Sequence, residues 1–324
     1  MLLIAPDSFK GTYSAREVAA AIARGAGGDV DLCPVADGGE GTLEALLAGG
    51  DGRTTEVAVH DPLGRPVTAP LGWIDGGATA IVEMASASGL GLLAAQERDA
   101  EAASTFGTGE LIAAAIEGGA RRVLVTVGGS ATSDGGAGAL EAIEAAGGIG
   151  DAELLVLCDV TTPYERAAEV FGPQKGADAA AVERLTARLH ARAAALPRDP
   201  RGVPMTGGAG GLSGALWAAH GAVLAPGAAW VLDALDFDAR LARADAVVTG
   251  EGRLDAQTLQ GKLIGEIAAR SRRAAVPLHA VVGSTLLAPE DAAALGLASV
   301  QVASDEPAME AAGRALRALV AHSA

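Results

Sequence analysis

Short apolar runs alternate along this chain with longer stretches in which apolar residues return at helical spacing. Leu2–Ala5, Val30–Cys33, Val123–Val127, Leu154–Cys158, Ala246–Thr249, Leu278–Val282 and Val300–Ala303 read as strands. Between them lie Ala-rich helical stretches. The Ser14-Ala15-Arg16-Glu17 capping box opens a helix that ends near Gly25, and another follows Gly41 and ends near the Gly49-Gly50 pair. Further helices are predicted over about 108–116, 178–196, 257–272 and 288–295, with a last one closing the chain. Strand–helix alternation of this kind is α/β architecture.

Residues 54–84 break the rhythm. Thr54–Val59, Val67–Trp73 and Thr79–Met84 are short strands separated by the turn signals Asp61-Pro62-Leu63-Gly64 and Asp75-Gly76-Gly77. The segment 197–205, with Pro197, Pro200 and Pro204, reads as a loop. Each terminal part alone has too few strands for a covered parallel sheet. Residues 1–55 and 225–324 are therefore expected to form one discontinuous domain around an inserted domain, 56–224. The expected fold class is α/β, with a Rossmann-like parallel-sheet domain interrupted by a second α/β domain.

Composition changes the picture in three ways. Hydrophobic residues make up 50% of the 324 and aromatics only 3%, so the core must be built from Ala, Val, Leu and Ile. The formal charge of −16, without any basic run, argues against a nucleic-acid footprint and against anionic membranes. An anionic ligand would need a locally positive pocket, which glycine loops, helix N-termini and a few lysines can supply. There are only three lysines, and each adjoins a glycine: Lys10-Gly11, Lys175-Gly176 and Gly261-Lys262. Cys33 and Cys158 end apolar runs and read as reduced core thiols of a cytoplasmic protein. The N-terminal segment lacks the charged start of a signal peptide, and no apolar run approaches 18 residues.

Chemistry concentrates where strands end. Pro6-Asp7-Ser8-Phe9-Lys10-Gly11 follows the first strand, the position at which open α/β sheets bind ligands. Asp7, Ser8 and Lys10 suit a hydroxy acid or phosphate, or else form a capping loop with a solvated lysine. Asp37-Gly38-Gly39-Glu40-Gly41 follows the second strand; its carboxylates would hold Mg²⁺ or orient hydroxyls, or simply cap the next helix. Gly128-Gly129-Ser130-Ala131-Thr132-Ser133-Asp134-Gly135-Gly136 has the small residues, hydroxyls and backbone N–H groups of a phosphate cradle at a helix start. Asp134 there would cap the helix or face a transferring phosphoryl group. Gly207–Gly214, with Gly210 and Gly211, is a second phosphate loop, a hinge, or close helix packing. Thr249-Gly250-Glu251-Gly252-Arg253-Leu254-Asp255 brings two acids and an arginine out of a strand end. Neither GxxxxGK[ST] nor a strict GxGxxG occurs, which disfavours a dinucleotide-dependent dehydrogenase. The five histidines lack metal-ligand spacing.

Taken in order, APDSFKG, ADGGEGT, DPLGR (Asp61–Arg65), GGSATSDGG, FGPQKGA, GAGGL and TGEGRLDAQT resemble the glycerate kinase family, of the bacterial type with two α/β domains. The resemblance spans nearly the whole chain, although the stretch between Gly138 and Cys158 is shorter than the family pattern. It implies ATP-dependent phosphorylation of D-glycerate with Mg²⁺, often to 2-phosphoglycerate, in a cleft between the domains. Laid over the motifs, it implies substrate contacts from Asp7, Ser8, Lys10, Asp37, Gly38, Glu40, Arg65, Glu251 and Asp255. Nucleotide contacts fall to Gly128, Gly129, Ser130, Thr132, Gly135, Lys175, Gly210 and Gly211. Lys10, Asp37 and Asp134 are the catalytic candidates, and Asp134 and Asp159 the metal candidates. Which of Asp37, Asp134 and Asp159 takes the hydroxyl proton and which binds Mg²⁺ stays open at this level, as does the choice between monomer and homodimer. The rival reading is a non-catalytic binding protein for a small hydroxy acid or anion, against which the surplus of loop carboxylates counts.

Overall fold

The computed structural model describes residues 1–255 and 263–323. Lys262 and the Ala256–Thr258 end of the TGEGRLDAQT motif lie outside the described residues. The strands are β1 (Leu2–Pro6), β2 (Val30–Leu32), β3 (Arg53–His60), β4 (Pro66–Ile74), β5 (Thr79–Glu83), β6 (Arg122–Thr126), β7 (Glu153–Leu157), β8 (Val223–Ala225), β9 (Ala246–Leu254), β10 (Leu278–Thr285) and β11 (Leu297–Val302). The chain divides into two compact units. The first comprises Met1–Asp37, Glu44–Gly49 and Ala228–Ala324, and the second Gly38–Leu43 and Gly50–Gly227.

The first unit is built on a parallel sheet of order β11-β10-β9-β1-β2. All five residues of β1 are buried, as its uninterrupted apolar run requires of a central strand. Read from β2, the order is the doubly wound 2-1-3-4-5 pattern, and the winding reverses between β1 and β9. Ligands bind at such a switch point, beyond the carboxyl ends of the strands. The capping box at Ser14 forms as expected: Ser14 Oγ accepts from the Glu17 N–H at 3.3 Å, and Glu17 Oε2 accepts from the Ser14 N–H at 2.7 Å. The helix it opens, Ala15–Ala26, buries Val18, Ala19, Ile22 and Ala26 and lies against the helix Glu306–Ser323.

One strand runs further than its sequence suggests. The apolar run stops at Thr249, but β9 continues to Leu254, with Ser284 and Thr285 of β10 paired to Arg253 and Leu254. The glycines at 250 and 252 serve close packing within this strand. A Cβ at Gly250 would run into the carbonyl oxygen of Val281, and one at Gly252 would sit 3.2 Å from Phe9 Cα.

The second unit carries a mixed sheet of order β3-β4-β5-β6-β7-β8, antiparallel from β3 to β5 and parallel from β5 to β8. The change of character expected over 54–84 is this antiparallel meander. Strand β8 and the helices Ala167–Phe171 and Phe237–Leu241 carry too few residues to show a period and were not expected. Both cysteines are free and buried, and burial pushes each thiol up to about 11. Among the described residues no helix is long and apolar enough to cross a membrane.

The seam between Ala15–Ala26 and Glu306–Ser323 rests on two glycines. A Cβ at Gly25 would meet the backbone of Glu310, and a Cβ at Gly313 would meet the carbonyl of Ile22 and lie 2.8 Å from the Ala26 nitrogen. Helix propensity alone predicts that Gly313→Ala stabilises the protein by about 0.5–1 kcal/mol. Overpacking against backbone costs about 1–3 kcal/mol, so the expected net result is destabilisation. Urea denaturation checks the sign, and an unchanged or raised midpoint would contradict this account of the seam.

Candidate active site

Beyond the ends of β1 and β9 the first unit holds a cavity of about 400 Å³, lined by Asp7, Ser8, Lys10, Asp37, Glu251 and Arg253 among others. The structure thus brings the first and last motifs of the sequence to one place. The backbone builds the floor. The Asp7 N–H donates to the Gly250 carbonyl at 2.8 Å, continuing the β1–β9 ladder by one residue. The chain then turns back on itself: the N–H of Phe9 donates to Tyr13 O at 2.8 Å, and those of Thr12 and Tyr13 to Phe9 O at 2.8 and 3.1 Å. This turn lifts Lys10 clear of the sheet, and its Nζ lies 3.3 Å from Asp37 Oδ2. The lysine is 59% exposed and Asp37 only 15%, so the ammonium is solvated while its partner is largely shielded. Gly252 lets β9 pass beneath Phe9, and Arg253 Nε reaches Asp255 at 3.5 Å.

Asp7 is the least exposed of these acids, at 6%. Its Oδ1 accepts the Ser8 N–H at 2.6 Å. Burial holds its carboxyl well above the ordinary carboxylate range. The charge of Asp37 pushes the same way, Lys10 and the Ser8 N–H oppose it, and Glu251 adds a little more.

The second unit collects the remaining glycine motifs around the segment 128–136. A Cβ on Gly128 would lie 2.6 Å from Gly39 Cα, so the loops carrying Gly38–Gly41 and Gly128–Gly129 touch backbone to backbone. Glu83, at the end of β5, accepts the N–H groups of Gly41 at 2.8 Å and Leu43 at 3.2 Å and fixes the first of these loops. On its other side 128–136 meets the glycine run at 208–211: the Gly135 N–H donates to Gly210 O at 3.0 Å, and a Cβ on Gly211 would lie 2.9 Å from Gly135 Cα. Tyr164 donates to Gly135 O at 2.8 Å. Leu63 of the DPLGR turn packs on the cluster that contains Ala131.

Two candidates sit elsewhere than their motifs suggest. Lys175 is only 1% exposed and lies beneath the loop. Its Nζ donates to Ser130 Oγ at 2.8 Å and to the Thr132 carbonyl. Burial lowers its pKa to about 7 against the raising effect of Asp134. Asp134 is saturated with donors. Its Oδ2 accepts the Thr105 N–H at 2.9 Å, the Thr105 hydroxyl at 2.8 Å and the Gly138 N–H at 3.1 Å, and its Oδ1 accepts the Gly136 N–H at 3.0 Å. A carboxylate so engaged braces the start of the helix Ala137–Ala145 and has little left for a cation.

Arg65 is not part of the cavity. Its guanidinium pairs with Asp61 and, at 2.7 Å, with Glu97 in the second unit, and Asp61 also accepts the N–H groups of Leu63 and Arg65. Glu40 is exposed, Gly38 is buried with a Cβ position 2.5 Å from Gly227 Cα, and Asp159 is half-buried just after β7. The sequence reading missed Ser284 and Ser304 in the cavity lining and the braces Glu83, Thr105 and Tyr164. Of these only Glu83 leaves a trace, an acid that ends an apolar strand.

Known proteins resemble this chain along most of its length. The model of the Glycerate kinase family matches residues 2–148 and 144–324. The glycerate kinase of Bacillus subtilis (strain 168) is 40% identical over 323 residues, covering 87% of this chain and 85% of that protein. The glycerate 2-kinase of Escherichia coli (strain K12) is 38% identical over the same shares. A solved structure from Salmonella typhimurium LT2, which carries a provisional glycerate kinase 2 designation, superposes with a TM-score of 0.82 at 35% identity, covering 99% of this chain and 98% of that one. Matched by the family model from end to end and by relatives at this level of identity, the chain belongs to the glycerate kinase family of enzymes.

Proposed function

We propose that this kinase transfers the γ-phosphoryl group of ATP to the C2 hydroxyl of D-glycerate, giving 2-phosphoglycerate and ADP in the cytoplasm, where ATP is supplied. The observation that carries the substrate is the cavity at the β1–β9 switch point. Glycerate has one carboxylate and two hydroxyls. The cavity offers the Lys10 ammonium for the first, and the carboxylates of Asp7, Asp37 and Glu251 as acceptors for the others. A purely anion-binding protein would have no use for so many acids there. The choice of C2 is supported by the E. coli relative, whose name is glycerate 2-kinase.

The glycine loops of the second unit are assigned to the nucleotide phosphates. Among the described residues no hydrogen bond occupies the N–H groups of Gly128, Gly129 or Thr132. The buried hydroxyls of Thr42, Thr126 and Ser133 likewise have no partner there. Donors left open in this way fit an anion. Lys175 contributes from below: with its ammonium donating to Ser130 Oγ, the serine hydroxyl hydrogen is left to point outward. Among the described residues no group of three or more His, Cys, Asp or Glu side chains is arranged to hold a metal ion. That fits Mg²⁺, which is bound through substrate phosphates and one or two carboxylates rather than in a protein cage. Asp159 is the carboxylate assigned to it, and Asp134 is not. When bound, the ion would neutralise charge on the phosphates.

Three outcomes are expected. Purified protein with MgATP and D-glycerate should release ADP and form 2-phosphoglycerate, read by a coupled assay and product NMR; folded protein with no glycerate-dependent ADP release contradicts the reading. Lys10→Ala should lower kcat/KM at least about tenfold, roughly 1.4 kcal/mol. Lys10→Arg should recover little of it, because a guanidinium is not a compact point charge; full activity in the arginine variant would show that any cation suffices. The third concerns Lys175. Its pKa is about 7 in the folded protein against an ordinary 10.5, so between those values the unfolded chain holds the proton that the folded one has shed. Stability must therefore rise with pH in that window. Lys175→Met removes this contribution, so the melting temperature of the wild type relative to the variant should climb from pH 7 to pH 9.5 or so. A gap independent of pH would mean that the ammonium is not desolvated.

A further inference from the structure

We propose that Asp7 is the catalytic base of this kinase, the group that takes the proton from the substrate hydroxyl as it attacks. The inference rests on the assignment of glycerate to the switch-point cavity. None of Asp134, Asp37 and Asp159 suits the task as well. The oxygens of Asp134 are filled by four donors, Asp37 is paired with Lys10, and Asp159 is the carboxylate assigned to Mg²⁺.

Asp7 differs from them in three respects. Its backbone is held by the sheet: it sits directly after β1, and its N–H is bonded to Gly250 O, so the side chain leaves from a fixed point of the cavity wall. A base held by the sheet itself needs no reorganisation when substrate binds. Its side chain is half-committed, with Oδ1 on the Ser8 N–H and no hydrogen bond to Oδ2 among the described residues, while the residue lines the cavity. Finally, its surroundings favour the protonated form. Burial, Asp37 and Glu251 raise its proton affinity, and Lys10 and the Ser8 N–H moderate it. Among the described residues, the remaining charged groups on that wall are Arg253 and Asp255, themselves paired. A base works best when its pKa approaches the operating pH, and a surface aspartate is too weak. Here the fold strengthens one by placing it out of water beside two other acids.

In the step itself, the C2 hydroxyl oxygen forms a bond to the γ-phosphorus as the bond from that phosphorus to the β-bridging oxygen breaks. The hydroxyl proton passes to Asp7 Oδ2, and ADP leaves with the electron pair of the broken bond. The protonated Asp7 then returns its proton to solvent, so the net reaction releases one proton for each phosphoglycerate formed.

The test uses the full chain. Wild type is assayed first; failure to phosphorylate D-glycerate would defeat the functional reading itself. With wild type active, Asp7→Asn should lower kcat by roughly 10²-fold or more. Calorimetry should still show glycerate and MgATP binding within a few-fold of wild type, and the melting temperature should hold or rise, since a buried acid is replaced by a neutral isostere. The wild-type kcat–pH profile should fall on the acid side with a midpoint above the ordinary carboxylate range. Asp37→Asn removes a neighbouring negative charge and should move that midpoint to lower pH; Lys10→Ala should move it to higher pH. These two shifts are read with Asp7 intact, so they stand even if Asp7→Asn fails to fold. The proposal is overturned if Asp7→Asn turns over within threefold of wild type at saturating glycerate, or if it raises KM alone. An acid limb that stays put in both neighbouring variants overturns it as well, as does activity that rises as Asp7 becomes protonated.

Discussion

Backbone must meet backbone in this protein, and most of its architecture follows from that constraint. Gly250 lets β9 lie against Val281, Gly128 lets one loop lie against Gly39, Gly210 and Gly211 close on 132–135, and Gly25 and Gly313 seat two helices on each other. A chain with 3% aromatic residues cannot fill wide gaps with large side chains. It instead brings its elements close and fills what remains with Ala, Val, Leu and Ile, as the buried residues show. Tight seams also exclude water, and only in such seams do a buried ammonium such as Lys175 and a buried carboxyl such as Asp7 acquire unusual proton affinities.

Electrostatics then works locally against a molecule of formal charge −16. Surface ion pairs such as Arg24 with Glu306 and Glu310 are numerous but exposed, and water screens them. Among the consequential charges, taken out of water or standing at its edge, are Lys175 under the 128–136 loop, Lys10 over a wall of acids, and Arg270, which is buried among Asp233, Asp238 and Glu266. At the first two positions the cation is a compact ammonium rather than a guanidinium.

Much of this was legible in the sequence, and the limits are physical. Uninterrupted apolar runs such as Leu2–Ala5 announced their strands, and the Ser14–Glu17 box announced its helix. The apolar run at 246–249 announced β9 but not how far it runs, because a local pattern cannot distinguish a glycine chosen for flexibility from one chosen for close approach. The motifs were recognised as chemistry, but not which neighbours would occupy them. That Asp134 accepts from Thr105, and that Lys175 lies beneath Ser130, depends on contacts between residues 29 and 45 positions apart. Arg65 stood in a recognisable motif that serves its own turn, with Asp61 accepting from the N–H groups of Leu63 and Arg65.

The pairing of β1 with β9 sets an order on how the molecule comes into being. Strand β1, interior to the first sheet, is synthesised before either of its partners, and one of the two starts only at Ala246. Until then β1 has only the three residues of β2 beside it, while every strand of the second unit has been delivered by Ala225. A growing chain therefore completes its inserted half before its first half can close. The apolar Leu2–Ala5 segment must be kept from other partners through most of synthesis, a period in which it is a natural client for a chaperone.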